Sequence, residues 1–382
     1  MDYPGRLRRV RAAMAERGIG LIYLPFSADV AYLTGLGHET PGPTATNRPG
    51  DVAAGVYLGP ERGPVAVGTR MGGEGLRADA AGKDWLADVR VMGEPADYEA
   101  TLRDVARDLY AGGAVAVPDR AWAATALALR RALPDAPLVS ATDILAPMRA
   151  VKDADELAVM RRAAALTDDV YATIVPRLAP GVTEREVAAE IERQFLARGG
   201  AGLSFHTAIL FLGGDSPREG YSGPTDQPLA RGMGVAFDFG VVLDGYCSDF
   251  GRTVFVGEPD AECRRVYDLV IGAQGAAIAA MRDGALTCAE ADRIARSMIE
   301  AAGYGAGFTH RLGHSIGRDV HEWPSLMAGE DTPLRAGMTF TVEPSVLLPG
   351  KAFVRIEDVV LVTPAGGESL MRAPRELLVV GG

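Results

Sequence analysis

Ala236-Phe-Asp-Phe-Gly-Val-Val-Leu-Asp-Gly-Tyr-Cys-Ser-Asp-Phe-Gly-Arg-Thr253 carries two strand-like apolar runs on either side of Leu243-Asp-Gly245, a hairpin signal. Asp238 falls on one arm and Asp249 on the other. If the loop is centred on Leu243 and Asp244, the two carboxylates oppose each other directly; if the turn is Asp244-Gly245, they are diagonal neighbours. Either register puts both on one face of the ribbon. Two carboxylates facing each other among Val, Phe and Ala disfavour each other's ionisation, and a cation between them removes the conflict. Two solvated carboxylates at strand ends are the alternative that this fragment leaves open.

Other segments add to the pair. Val354-Arg-Ile-Glu-Asp-Val-Val360 reads as a strand with Arg355 and Glu357 on one face, and Thr339-Phe-Thr-Val-Glu-Pro344 places Glu343 in an apolar strand that its proline ends or redirects. Either Glu alone also suits a salt-bridged surface position. His310-Arg-Leu-Gly-His314-Ser-Ile-Gly-Arg-Asp-Val-His321 holds three of the five histidines, and Gly313 and Gly317 argue for backbone turning rather than a regular helix. One histidine with several carboxylates is the donor set of an oxygen-rich Mn, Co, Fe or Zn site. No Walker loop, dinucleotide fingerprint, G-x-S-x-G elbow or H-E-x-x-H competes with this reading.

The chain has 382 residues, net charge −11 and 48% hydrophobic residues, so two domains with ordinary cores are expected. An acidic chain with five His has no basic footprint for nucleic acid or an anionic membrane surface. Three scattered cysteines, Cys247, Cys263 and Cys288, frame neither a disulfide scaffold nor a thiolate zinc site. With no signal-peptide core near the start, a soluble cytoplasmic protein is expected. Residues 1–148 read as a small α/β domain: helical spacing of Leu7, Val10 and Met14, a buried strand at 18–25, then short strands alternating with helices. Within it the Pro/Gly-rich loop 37–51 is too long for a simple connection and suits a lid, a subunit contact or an unstructured tract equally. Residues 149–382 form the second domain. Asp153/Glu156, Thr183/Glu186 and Thr287/Glu290 have capping-box spacing, each ahead of an apolar stripe, the last one Ala291, Ile294 and Met298.

Taken in order, Asp238, Asp249 eleven residues on, His314, Glu343 in V-E-P and Glu357 in R-I-E-D resemble the pita-bread metallopeptidases, the family of methionine aminopeptidase, prolidase, aminopeptidase P and the metal-free creatinase. Arg6-Leu-Arg-Arg-Val-Arg11 and Tyr32-Leu-Thr-Gly35 are similar to the creatinase/prolidase N-terminal domain, and Arg149-Ala-Val-Lys-Asp-Ala-Asp-Glu156 to the start of the catalytic domain. The resemblance implies a creatinase-like α/β N-terminal domain followed by an α+β pita-bread catalytic domain. It implies two divalent metal ions, manganese foremost, with Asp238 on one, His314 and Glu343 on the other, and Asp249 and Glu357 bridging. A metal-bridged hydroxide would attack the bond before proline, with Glu343 as proton shuttle, His310 and His321 binding substrate and stabilising the oxyanion, and Arg355 orienting a bridging carboxylate or the substrate. A homodimer acting on small peptides is the implied assembly.

One position departs from the family. A further histidine is expected seventeen residues before the first ligand, where this chain has Tyr221. A phenol with pKa near 10 donates a hydrogen bond but shuttles protons poorly at neutral pH. His206 is a candidate substitute, and an ordinary strand-end residue otherwise. Tyr221 therefore opens an alternative: a metal-dependent hydrolase or lyase of a non-peptide small molecule, of the creatinase, ectoine hydrolase or sulfonium betaine lyase kind.

Overall fold

The hairpin closes in the second of the two registers. In a computed structural model describing residues 1–37, 50–94, 96–214 and 223–381, Leu243 pairs with Tyr246 and Val242 with Cys247. Asp244 and Gly245 have φ of 47° and 77°. Left-handed conformation at both central residues is what a two-residue type I′ turn needs, and Asp-Gly supplies it cheaply. The same register runs on to Phe250 opposite Phe239 and Gly251 opposite Asp238. Asp249, two residues before Gly251, is thus the diagonal neighbour of Asp238.

The chain divides into two compact units, Met1–Arg149 and Ala150–Gly382. In the first, six strands, β1 (Ile19–Leu24), β2 (Gly55–Leu58), β3 (Val65–Gly68), β4 (Asp88–Val91), β5 (Ala114–Val117) and β6 (Leu138–Ser140), form one sheet in the order β4-β3-β2-β1-β5-β6. The β1–β2 and β2–β3 pairs are antiparallel and the others parallel. Every residue of β1 is buried. Because side chains alternate along a strand, Ile22 and Leu24 enter a core with Leu7, Val10 and Met14, while Leu21 and Tyr23 enter a second core with Leu102 and Val105. A central strand covered on both faces reads as the continuous apolar run seen in the sequence. Most of the Pro/Gly-rich loop, residues 38–49, lies outside the described residues.

In the second unit, three long helices begin at reciprocal capping boxes: Ala154–Ile174 at Asp153/Glu156, Glu184–Ala197 at Thr183/Glu186 and Cys288–Ala301 at Thr287/Glu290. A fourth, Ala261–Ala280, contains the most apolar stretch of the chain. The helix Cys288–Ala301 corrects one expectation. It buries Ala291, Ala295 and Ile299, while Ile294 is only partly buried and Met298 is 38% exposed. Small residues face the alanines Ala273 and Ala277 of the preceding helix within one core, so close approach, not side-chain size, selects the buried stripe.

The strands of this unit fall into several small sheets. Met233–Phe239 lies between Ala208–Gly213 and Phe250–Val256, and Gly313–Ser315, Thr339–Val342 and Asp358–Val362 run side by side in a five-stranded sheet. Two stretches are broken at the residues of interest, the first at the proline expected to end or redirect it and the second within residues 354–360, which were expected to be one strand. Thr339–Val342 and Ser345–Leu348 are separate strands interrupted at Glu343-Pro344, and Ala352–Arg355 is separated from Asp358–Val362 at Ile356-Glu357. Each break leaves a carboxylate where the ladder is interrupted. Among the described residues no helix is long and apolar enough to cross a membrane.

Candidate metal centre

Alternation along Met233–Phe239 fixes where Asp238 points. Phe237 and Phe239 pack against Tyr171, Phe195 and Phe250, with ring centroids 5.3 to 5.9 Å apart, so Asp238 between them faces the other side of the sheet. In the two-residue link between Tyr246–Cys247 and Phe250–Val256, Ser248 turns toward the helices, its hydroxyl 2.7 Å from Thr167 Oγ1 and receiving a hydrogen bond from the Val241 amide at 2.9 Å. Asp249 then points to the same face as Asp238.

Gly251 lies directly across from Asp238, and Glu357 reaches over it, its amide donating to the Gly251 carbonyl at 2.9 Å. A Cβ on Gly251 would stand 2.8 Å from Glu357 Oε2 and 2.9 Å from Arg355 Cδ. Glycine here makes room for the carboxylate. Gly313 serves a similar end for His314: a Cβ there would lie 1.9 Å from the Thr341 carbonyl oxygen. Gly317 likewise borders the Glu322 carboxylate at 2.8 Å. Neither residue is in the left-handed region, so both glycines allow close approach rather than a turn.

Hydrogen bonds then orient the donors. The His314 amide donates to Thr341 Oγ1 at 3.0 Å, and that hydroxyl donates to Glu343 Oε1 at 3.2 Å. His314 Nδ1 faces the Ser315 carbonyl at 3.1 Å, which fixes the proton on Nδ1 and leaves the Nε2 lone pair 3.5 Å from Asp249 Oδ2 and 3.6 Å from Glu343 Oε1. Asp292 accepts from the Leu312 amide at 2.9 Å and holds Arg296, which donates to the carbonyls of Phe308 and His310. Gln274, fully buried on Ala261–Ala280, donates to the carbonyls of Val342 at 3.0 Å and Ile356 at 3.1 Å. These carbonyls immediately precede Glu343 and Glu357, so one amide ties both strand breaks together.

Asp238, Asp249, His310, His314, His321, Glu343, Arg355 and Glu357 all line one cavity of about 540 Å³. Donor atoms of Asp249, His314 and Glu357 lie within 4.8 Å of one another. Arg355 is hydrogen-bonded to Asp238 and lies 3.6 Å from Glu343 and 3.8 Å from Glu357. His321 stacks edge-on to His314 at 4.2 Å. His310 has both ring nitrogens engaged, Nδ1 with the Arg311 carbonyl at 2.7 Å and Nε2 with Ser345 Oγ. His206 is exposed and is not among the cavity-lining residues, whereas its neighbour Phe205 is. Tyr221 lies outside the described residues.

The electrostatics follow from burial. Desolvation, and then repulsion from neighbouring carboxylates, raises the proton affinity of Asp249 and Glu357 well above the ordinary range. Burial pushes Glu343 up to about 7, with Arg355 opposing. Burial depresses His314 to about 3 and His310 to about 4, so both imidazoles are neutral at pH 7. Burial works against the charge of Arg355, but the surrounding carboxylates outweigh it and hold the guanidinium protonated. Asp249 Oδ1 and Glu357 Oε2 are buried and have no hydrogen-bond partner among the described residues. Buried carboxylate oxygens without donors, beside a neutral imidazole whose lone pair faces them, fit a divalent cation.

Comparison with known proteins agrees with this chemistry. The model of metallopeptidase family M24 matches residues 158–364, and that of the creatinase/prolidase N-terminal domain residues 6–151. The chain belongs to metallopeptidase family M24. It is 36% identical over 389 residues to the protein named Probable dipeptidase PepE of Mycobacterium tuberculosis, covering 99% of this chain and 96% of that one. Two solved structures, each 28% identical, are also similar. One is a prolidase from Thermococcus sibiricus, with TM-score 0.88 and full coverage of both chains. The other is an Xaa-Pro dipeptidase from Bacillus anthracis, with TM-score 0.85, 99% of this chain and all of that one. The M24 chain is thus a peptidase hydrolase with a creatinase-like N-terminal domain and a pita-bread catalytic domain, as the resemblance implied.

Several residues at the centre of this M24 site escaped the sequence reading. Gly251 and Gln274 act through space on residues distant in the chain, Gly251 on Glu357 and Gln274 on Val342 and Ile356, 68 and 82 positions away. Arg311, Phe205, Val320 and Met327 line the cavity. Gln274 had one visible signal, a lone polar residue inside an apolar helical stretch.

Proposed function

We propose that the chain is a metal-dependent dipeptidase that cleaves the bond before proline, with two divalent cations held by Asp238, Asp249, His314, Glu343 and Glu357. The observation that carries this reading is the convergence of these five residues, from four separate segments, on one cavity in which two buried carboxylate oxygens have no hydrogen-bond partner among the described residues. The Xaa-Pro dipeptidase and prolidase among similar structures support a peptide substrate. Asp238 is assigned to one ion, His314 and Glu343 to the other, and Asp249 and Glu357 to both; manganese is the leading candidate, and cobalt, zinc or iron suit the same donors. Four carboxylates, Arg355, two divalent cations and one hydroxide sum to zero charge.

Such cations, when bound, lower the pKa of water and polarise the scissile carbonyl. The residues do the rest. Glu343 is the group placed to accept a proton from the attacking water and pass it to the leaving nitrogen. Arg355 holds Asp238 in place. His321 is assigned to the charge developing on the carbonyl oxygen, because His310, donating from Nδ1 to a carbonyl, presents an accepting Nε2 to Ser345. His310 then serves as a wall of the substrate site, and Tyr221 is a candidate second donor. A cytoplasmic homodimer belongs to the same proposal.

The test is turnover of Ala-Pro by metal-stripped protein before and after manganese is restored, beside creatine, a cyclic amidine and a sulfonium betaine. Metal-dependent peptide cleavage, abolished together with metal binding in Asp249→Ala and Glu357→Ala, is expected. Turnover of one of the non-peptide compounds instead would move the assignment to the small-molecule alternative.

A further inference from the structure

Glu357 sits at a break in the strand ladder, where a single antiparallel bridge joins it to Gly251. The Glu357 amide donates to the Gly251 carbonyl at 2.9 Å, while the return bond from the Gly251 amide is longer, 3.4 Å. Arg252 reinforces that bridge. Its Nη1 donates to both carbonyls of the bridge, Gly251 at 2.8 Å and Glu357 at 2.7 Å. The guanidinium lies over the Phe250 ring at 4.6 Å, and alternation puts Phe250 and Arg252 on the face opposite Gly251. Arg252 therefore holds the backbone that carries Glu357 without lining the cavity.

The other donors of the same guanidinium hold a different part of the chain. Nη2 donates to Asp358 Oδ1 at 2.7 Å and to the Ala373 carbonyl at 3.1 Å, and Nε to the Pro374 carbonyl at 2.9 Å. A guanidinium has five N–H donors, and each of them has an acceptor here, in a side chain 1% exposed. Polar contacts also hold the rest of segment 372–380. Asp168 accepts from the amides of Arg372 at 2.7 Å and Ala373 at 3.1 Å, the Tyr267 hydroxyl donates to the Arg375 carbonyl at 2.9 Å, and Leu378–Val380 pairs in parallel with Val254, Phe255 and Val256. Arg372, Pro374, Glu376 and Leu378 are exposed. A segment held in this way opens at lower cost than a core strand.

We propose that Arg252 is a positioning residue of the metal centre, which fixes Glu357 against Gly251 and couples docking of segment 372–380 to metal affinity. The planar fork suits the task, because its donors point in fixed directions and bind the bridge and the segment at once. Coupling of this kind is reciprocal: if the docked segment strengthens cation binding, a bound cation holds the segment down by the same factor. The inference rests on the assignment of Glu357 as a metal ligand and adds a part of the chain that touches neither cation nor substrate.

The experiment uses the whole chain, metal-stripped, as wild type, Arg252→Lys and Asp168→Ala. Titration calorimetry reads manganese affinity, and deuterium uptake of residues 372–380 is followed with and without manganese. Manganese should slow that uptake in wild type by about 5- to 150-fold, the usual size of coupling between two sites. Asp168→Ala, which loosens the segment without changing Arg252 or a metal ligand, should lower both the slowing and the manganese affinity by about fivefold or more. Arg252→Lys, with three donors in place of five, should lose about 10- to 100-fold in manganese affinity. Asp168→Ala and the wild-type uptake decide the matter even if Arg252→Lys does not fold. A merely structural role would lower urea stability and leave manganese affinity within about twofold of wild type in the variants that fold, and that result would overturn the inference. So would uptake in wild type that manganese leaves unchanged. Wild type that binds no manganese would overturn the metal-centre reading as well.

Discussion

Gly251→Ala tests how the centre is assembled. Gly251 is not in the left-handed region, so alanine fits the backbone there and any effect comes from the methyl group alone. That methyl would stand 2.8 Å from Glu357 Oε2 and 2.9 Å from both Glu357 Cβ and Arg355 Cδ, inside van der Waals contact on all three sides. Glu357 Cβ is held by a backbone that bonds Gly251 itself, so it cannot swing clear as a side-chain tip would. Overpacking of this kind costs about 1–3 kcal/mol. If the strain is relieved by displacing the Glu357 carboxylate, manganese affinity should fall about 10- to 100-fold, since each 1.4 kcal/mol is about a factor of ten. Titration calorimetry on metal-stripped protein, with urea unfolding alongside, measures both. Gly275→Ala is the matched control: its added Cβ meets nothing within 4 Å inside the helix Ala261–Ala280, so it should gain about 0.5–1 kcal/mol and leave metal affinity unchanged. Gly251→Ala binding manganese within about twofold of wild type would refute the argument.

Two further outcomes follow from buried charge. Lys152 and Glu322 form an ion pair at 3.2 Å with side chains 1% and 5% exposed, and Glu322 also accepts from the amides of Arg318 and Asp319, just ahead of His321. Lys152→Met leaves that carboxylate buried without its cation and should lower unfolding stability by about 3–5 kcal/mol, with Lys152→Met/Glu322→Leu recovering most of it; a loss under about 1 kcal/mol in urea titrations would contradict this. Manganese binding should release protons near neutral pH, because Glu343 is raised to about 7 and Asp249 and Glu357 well above their usual range, while a cation requires ionised carboxylates. His314, depressed to about 3, is already neutral and adds none. The Glu343 share should therefore shrink as pH rises through about 7; calorimetry in buffers of different ionisation enthalpy reads it, and release that grows with pH would be the wrong sign.

What the sequence displayed was local. The hairpin around Leu243-Asp-Gly245, three Thr/Asp-x-x-Glu capping boxes and the alternation around Asp238 are decided by neighbours a few residues apart, and the structure has them, closing the hairpin in one of the two registers left open. The break at Glu343-Pro344 was signalled by its proline, whereas that at Ile356-Glu357 was hidden, because β propensity continues through it and only pairing with distant strands shows where the ladder stops. Gly313 and Gly317 were visible, but their reason was not: they admit the Thr341 carbonyl and the Glu322 carboxylate. The helix Cys288–Ala301 carries apolar residues on two stripes, and which one is buried was set by the alanines of its neighbour. Gln274 belongs with these, since its role exists only once Val342 and Ile356 come together above it.

The most direct measurement is cleavage of Ala-Pro by protein carrying a counted number of manganese ions per chain. The account predicts no cleavage by metal-stripped protein, and full cleavage once two ions are bound. Cleavage without metal, or two bound ions with no cleavage of the bond before proline, would contradict it.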